Sequence, residues 1–182
     1  MGKLLNIFVV FLYTFIPCLT FAGNQHFTII DGGTVHLRGA LVAPACTVAS
    51  GSRSLTVEMG QLRSNQFGES GSDALPVPFS LRLTDCEPIT SQNVGISFWG
   101  QVDTQNPHVL KVTEGINAAK GVGVALFTED GQPIIINSHT PTTFPLQKGD
   151  NILKFVAKYR ATAQQITSGN AEAATWFSVT YP

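Results

Sequence analysis

This 182-residue chain has little charge. Lysine, arginine, aspartate and glutamate together make up 13% of it, about half the ~25% of an ordinary soluble domain. Eleven cations stand against 12 acids, for a formal net charge of −1. No basic run occurs, so nucleic acid and anionic membrane are poor partners. A surface so thinly charged is weakly protected against association, which suits a molecule that lives packed against neighbours. Cysteine is scarce as well, with only Cys18, Cys46 and Cys86. No Cys-x-x-Cys pair is present, and His26, His36, His108 and His139 are scattered without ligand spacing, which argues against a metal site. Helical periodicity is nearly missing. Asn117–Lys120 has room for one helical turn at most.

Catalytic signatures are lacking too. Gly68-Glu69-Ser70-Gly71-Ser72 lacks the last glycine of a nucleophile elbow. Gly121-Val122-Gly123 lacks the third glycine of a dinucleotide loop, and Gly51-Ser52-Arg53-Ser54 has no phosphate-loop lysine. Glu129-Asp130, and Asp85 with Glu87, read as solvated carboxylates. The chain is not expected to be an enzyme or to hold a cofactor. Trp99, Trp176 and the tyrosines have the chemistry to stack on sugars, but they fall inside strand patterns and read as packing residues.

One long apolar run exists. It follows Lys3, extends from Leu4 to Ile16 and ends at Pro17, with small residues near Ala22. It is shorter than the ~18 residues that span a bilayer, and it reads as a secretory signal peptide over residues 1–22. No lipid anchor is expected. Cys18 leaves with the leader. In an oxidising compartment after export, Cys46 and Cys86 most simply form one disulfide, which the chain-entropy model values at about 4 kcal/mol.

Short alternating runs fill the rest. They are Leu55/Val57/Met59, Val77/Phe79/Leu81/Leu83, Val94/Ile96/Phe98, Val122/Val124/Leu126, Leu153/Phe155/Ala157/Tyr159 and Thr175/Phe177/Val179/Tyr181, with a brief apolar run at Pro133–Ile136. Asp130-Gly131 and Lys148-Gly149-Asp150 punctuate them as turns. Many short strands with turn punctuation predict an all-β sandwich of one domain. A further strand is predicted over Gly33–Val42. Val35, Leu37 and Leu41 share a face with Gly39, while Thr34, His36 and Arg38 take the other. Glycine on the apolar face of a strand marks a bulge or a close backbone approach. Either this is an ordinary first strand, or it is a strand to be given to another molecule. The last run reaches Pro182, so its edge has no later strand to cover it, and an unpaired apolar edge is a hazard unless something pairs with it. That favours the second reading.

Several motifs then agree in order. They are Gly32-Gly33-Thr34-Val35-His36-Leu37-Arg38-Gly39, Cys46 shortly after, Met59-Gly60-Gln61, Pro78-Phe79 and Leu83-Thr84-Asp85-Cys86. Val122-Gly123-Val124, Ala157-Lys158-Tyr159-Arg160-Ala161-Thr162 and Phe177-Ser178-Val179-Thr180-Tyr181 follow. Tyr181 is penultimate, and Gly169 stands fourteenth from the C-terminus. With these motifs the chain resembles a pilin subunit of chaperone–usher fimbriae of the type 1 family, and is most similar to its minor, fimbrin-like subunit. Pro182 departs from the commoner polar ending.

The resemblance implies an all-β, incomplete immunoglobulin-like sandwich lacking its final strand, with an N-terminal donor-strand arm. Its segments would be a signal peptide (1–22), an N-terminal extension (23–42) and a pilin domain (43–182). A periplasmic chaperone would fill the open groove first. The arm of a neighbouring pilin subunit would then replace it at an outer-membrane usher, building a cell-surface fimbrium. Gly33, Val35, Leu37, Gly39 and Leu41 would face the neighbour's groove. Gly169, Phe177, Val179, Tyr181 and Pro182 would line this subunit's own groove or anchor its chaperone. The alternatives are an assembly terminator or anchor at the pilus base, and a carbohydrate-binding tip subunit.

Overall fold

The computed structural model describes residues 32, 34–39, 45–89 and 91–182. These fall into two units divided at position 40, and each is taken on its own. The leader, residues 23–31, Gly33 and Leu41 lie outside the described residues.

In the larger unit the strands are β1 (Thr47–Val48), β2 (Val77–Cys86), β3 (Asn93–Gly100), β4 (Leu110–Lys111), β5 (Val122–Thr128), β6 (Pro133–Ile134), β7 (Thr142–Pro145), β8 (Gly149–Ala161) and β9 (Thr175–Thr180). One helical turn, Ser50–Arg53, and one 3-10 turn, Ser64–Gln66, complete the described regular structure. The large sheet runs β1-β2-β8-β5-β4, with β6 also on β5. The small one runs β7-β3-β9. Every strand pairing is antiparallel. The prediction of an all-β sandwich therefore holds. No helix among the described residues is long and apolar enough to cross a membrane.

The longest strand, β8, organises the large sheet, with β2 on one side and β5 on the other. Its inward residues Asn151, Leu153, Phe155, Ala157, Tyr159 and Ala161 are all buried, as period-two alternation requires. Phe155, 1% exposed, is the centre of the core. Phe79 stacks on it with ring centroids 5.3 Å apart, and Phe98 and Phe144 meet it edge-on at 5.3 and 5.4 Å. These are the offset and T-shaped geometries that aromatic quadrupoles favour. Leu81 and Leu83 from β2 and Val94 and Ile96 from β3 fill in around them.

Cys46 and Cys86 are bonded, with Cα atoms 4.1 Å apart. The bond ties the residue before β1 to the end of β2. Upstream of β2, Asp73 bridges Arg160 of β8, accepting from both Nε (2.6 Å) and Nη2 (2.9 Å) of the guanidinium, and so extends the pairing of β8 beyond Val77.

Three expectations need correction. Leu55–Met59 alternates like a strand, yet residues 54–63 carry no regular structure. A strand exists only where a neighbour completes its ladder, and no backbone hydrogen bond joins residues 54–62 to another described residue. Asn117–Lys120 is not a helical turn. It runs beside residues 167–170, through bridges Ala118↔Asn170 and Lys120↔Thr167. In the smaller unit, residues 34–39 are outside any strand, and Val35 and Leu37 are 80% and 92% exposed. Their alternation, too, has no ladder to join within the described chain.

Candidate functional site

Among the described residues, the last strand has one partner. β9 pairs with β3 from Gly95↔Thr180 to Gly100↔Thr175, and its other edge meets no strand among the described residues. Beyond that edge opens a cleft of about 1730 Å³. Its floor is the hydrophobic core itself, with Phe79, Leu81, Phe98, Leu126, Ala157 and Tyr159 contributed by both sheets. Phe177 and Val179 form the β9 wall, both half-buried. The facing wall is the unpaired segment 54–62, where Leu55 is 45% exposed while Val57, Met59 and Leu62 are half-buried. Apolar floor and two backbone edges without ladder partners amount to an empty strand position. Each edge presents N–H and C=O groups that must find a partner somewhere, in water or in another chain.

Local chemistry closes the cleft's far side. Residues 167–170 cross residues 117–120 through four backbone hydrogen bonds, from Ala119 N–H to Asn170 O, Asn170 N–H to Asn117 O, and reciprocally between Lys120 and Thr167. Gly169 sits in this crossing and lines the cleft. A Cβ there would lie 2.5 Å from the Asn117 carbonyl oxygen and 2.6 Å from backbone atoms of Ala118 and Ala119, so only glycine fits. Tyr159 donates its hydroxyl to the Ala171 carbonyl at 2.7 Å, holding the same crossing to β8. Burial raises the Tyr159 phenol above the ordinary tyrosine range, and the charge of Glu172 adds to the rise.

The predicted groove residues divide. Gly169, Phe177 and Val179 line the cleft. Tyr181 and Pro182 do not. Pro182 is exposed, and Tyr181 packs against the core with its hydroxyl donating to the Cys46 carbonyl at 3.4 Å, tying the chain end to the disulfide. Burial raises the Tyr181 phenol, and the bond to Cys46 partly opposes the rise. Of the predicted arm residues, Val35, Leu37 and Gly39 are described and exposed. A Cβ added at Gly39 would meet no atom within 4 Å, so no contact among the described residues requires glycine there. Sequence reasoning missed the 54–62 wall as part of the site. Its alternation was visible, but not that its backbone would lack a neighbour.

A depression of about 570 Å³ at the start of β8 is lined by Glu129, Asp150, Asn151 and Lys154, among others. Lys154 is paired with Glu129 at 2.9 Å and Asp150 with Arg82, which leaves Asp130 as its one charged side chain outside an ion pair among the described residues. Among the described residues, no three His, Cys, Asp or Glu side chains converge as a metal site.

Residues 35–182 match the family model described as fimbrial protein. The chain is 41% identical over 156 residues to a fimbrin-like protein, FimI, of Salmonella typhi, covering 85% of this chain and 88% of that one. It is 34% identical over 170 residues to the fimbrial subunit type 1 of Salmonella typhimurium, covering 92% of each. Among solved structures, the type I fimbria protein of Burkholderia pseudomallei matches with a TM-score of 0.60 at 31% identity, over 77% of this chain and 91% of that one. The P pilus rod subunit PapA shares the fold, with a TM-score of 0.65 at 19% identity over 76% and 100%. These relatives are named as fimbrial proteins or pilus subunits. The match over nearly all of the β-sandwich and the relatives at 41% and 34% identity lead to one conclusion: the chain belongs to the fimbrial protein family and is a structural subunit of a type 1 fimbria.

Proposed function

We propose that the cleft beside β9 accepts a β-strand from another molecule, and that residues 33–42 of this chain are the strand it gives to a neighbouring subunit. The observation that carries this reading is the single-sided pairing of β9 above a floor made of core residues. Strand addition to an open sheet edge is an established mode of recognition. Main-chain bonds along the edge supply affinity, and alternate side chains supply register. Gly33, Val35, Leu37, Gly39 and Leu41 enter the acceptor's cleft. Phe177 and Val179, with Gly169 at the crossing, receive the donor in this one.

The energetics explain why such a subunit needs an escort. Each large apolar side chain removed from water is worth about 1.5–3 kcal/mol, against a total stability of roughly 5–15 kcal/mol for a domain. Leu55, Val57, Met59, Phe79, Phe177 and Val179 line the cleft only partly buried, so each has a share of that value to gain. A periplasmic chaperone therefore holds the subunit after export and loss of residues 1–22, with residues 23–42 as the extension and 43–182 as the domain. An outer-membrane usher is the place of exchange, and the product stands on the cell surface.

The test is to delete residues 23–42 and measure thermal melting with and without a peptide of residues 32–42. The truncated chain is expected to be marginal or aggregated alone and to gain a cooperative transition with peptide. A high melting temperature indifferent to peptide would overturn the proposal.

A further inference from the structure

The outer face of the small sheet carries a feature the cleft does not explain. Trp99 and Trp176 are register partners across β3 and β9, on the face away from the core. Trp99 is settled there. Its indole N–H donates to Ser178 Oγ at 3.1 Å, and the His139 ring stands edge-on at 5.5 Å. Trp176 has no hydrogen bond from its side chain and no aromatic partner among the described residues, and it is 65% exposed. It stands on the unpaired edge strand and reaches the rim of the cleft. No Lys, Arg, Asp or Glu occurs in β3, β7 or β9, so the small sheet's own strands offer this indole no cation.

A strand added beside β9 shows alternate side chains to the two faces. If Val35 and Leu37 enter the cleft, then Thr34, His36 and Arg38 lie on the outer face, abreast of Trp176, Ser178 and Thr180. One antiparallel alignment suits both faces together. It sets Leu37 beside Phe177 and Val35 beside Val179, apolar against apolar, and brings Arg38 opposite Trp176. Arginine is planar, permanently charged and weakly hydrated, and an indole face is its best aromatic partner. Cross-strand neighbours on one face are close enough to interact directly. Resting on the strand-addition reading above, we infer that Arg38 from the arm of a second copy stacks on Trp176 of the acceptor. The outer face of the added strand then contributes to partner choice alongside its buried face.

The test is a double-mutant cycle on dissociation of a fluorescent peptide of residues 32–42 from the full mature chain. Trp176→Ala in the chain and Arg38→Gln in the peptide are each expected to speed dissociation roughly two- to fivefold. Combined, they should do no more than the larger single change, and Arg38→Lys should retain part of the effect. Arg38→Gln does not touch the folding of the acceptor, and an unchanged melting temperature of the Trp176→Ala chain verifies its fold. Effects that multiply, or no effect of Arg38→Gln, overturn the contact while leaving strand addition in place. Failure of the unmodified peptide to bind overturns both.

Discussion

At the scale of single residues, glycine marks two places for different reasons. Gly169 is required by space in this chain's own fold, because a Cβ there would run into the backbone of Asn117–Ala119. Gly169→Ala should cost about 1–3 kcal/mol, the usual penalty of overpacking where no flexible side chain is able to yield, and a denaturant melt would register it. Gly39 has open space around it, so Gly39→Arg should leave the subunit's own stability unchanged. The same change should block donation of its arm to an acceptor, because the side chain would have to enter a filled cleft. A mutant arm exchanging at the wild-type rate would remove residues 33–42 from the donor role. Tyr159 offers a third test. Its phenol is raised in the folded chain by burial first and by Glu172 second, so the folded state holds this proton more tightly than the unfolded state. That stabilisation is whole below the ordinary tyrosine range and is lost as pH rises through the folded value. Tyr159→Phe should lose about 0.5–1.5 kcal/mol near neutrality with its bond to Ala171, and its stability should fall less steeply above pH ~10. An alkaline stability profile with wild-type steepness would count against this account.

Among the elements, legibility followed partnership. β2, β3, β5, β8 and β9 were readable because each has a side buried against the core, and burial imposes the alternation that a sequence displays. β1, β4 and β7 are two to four residues long, too short to show a period. Leu55–Met59 and Gly33–Val42 display the same alternation as the true strands, and the described residues of both are unpaired. Period two reports the face a segment is suited to bury, whereas a ladder also needs a neighbour, which one chain does not always contain. For the same reason the cleft was legible only in part. Phe177 and Val179 stood out through their place in the last strand, but Phe79, Leu81 and Leu126 read as ordinary core, since their side chains look no different until the covering strand is found missing. Hydrogen exchange checks the element-level claim. Amides of residues 54–62 and alternate amides of β9 should exchange quickly in the empty domain and become protected when a peptide of residues 32–42 is added. Protection there without peptide, or none with it, would contradict an empty strand position bounded by these two edges.

For the whole molecule, the disulfide and the missing strand bear on one small stability. The Cys46–Cys86 bond closes a loop with a sequence separation of 40, worth about 4 kcal/mol in the chain-entropy model. The open cleft leaves Leu55, Phe79, Phe177 and Val179 only partly covered, so the isolated domain begins near the low end of the usual 5–15 kcal/mol. Replacing both cysteines by serine should therefore leave little or no folded protein in the absence of a partner. A strand that binds only the folded form stabilises it by mass action, by about 4.1 kcal/mol at a free concentration 1,000 times its dissociation constant. That nearly equals the disulfide's share. The Cys46→Ser, Cys86→Ser chain should thus be unfolded alone by circular dichroism and should regain a cooperative melt as a peptide of residues 32–42 is titrated toward that excess. The regained transition should track peptide concentration logarithmically. The logic depends on the disulfide acting mainly on the unfolded ensemble and the strand acting on the folded one, so that either suffices. If saturating peptide leaves the serine variant unfolded, the disulfide is instead needed to shape the cleft itself, through Cys46, whose carbonyl holds Tyr181 and which is one of the cleft's lining residues.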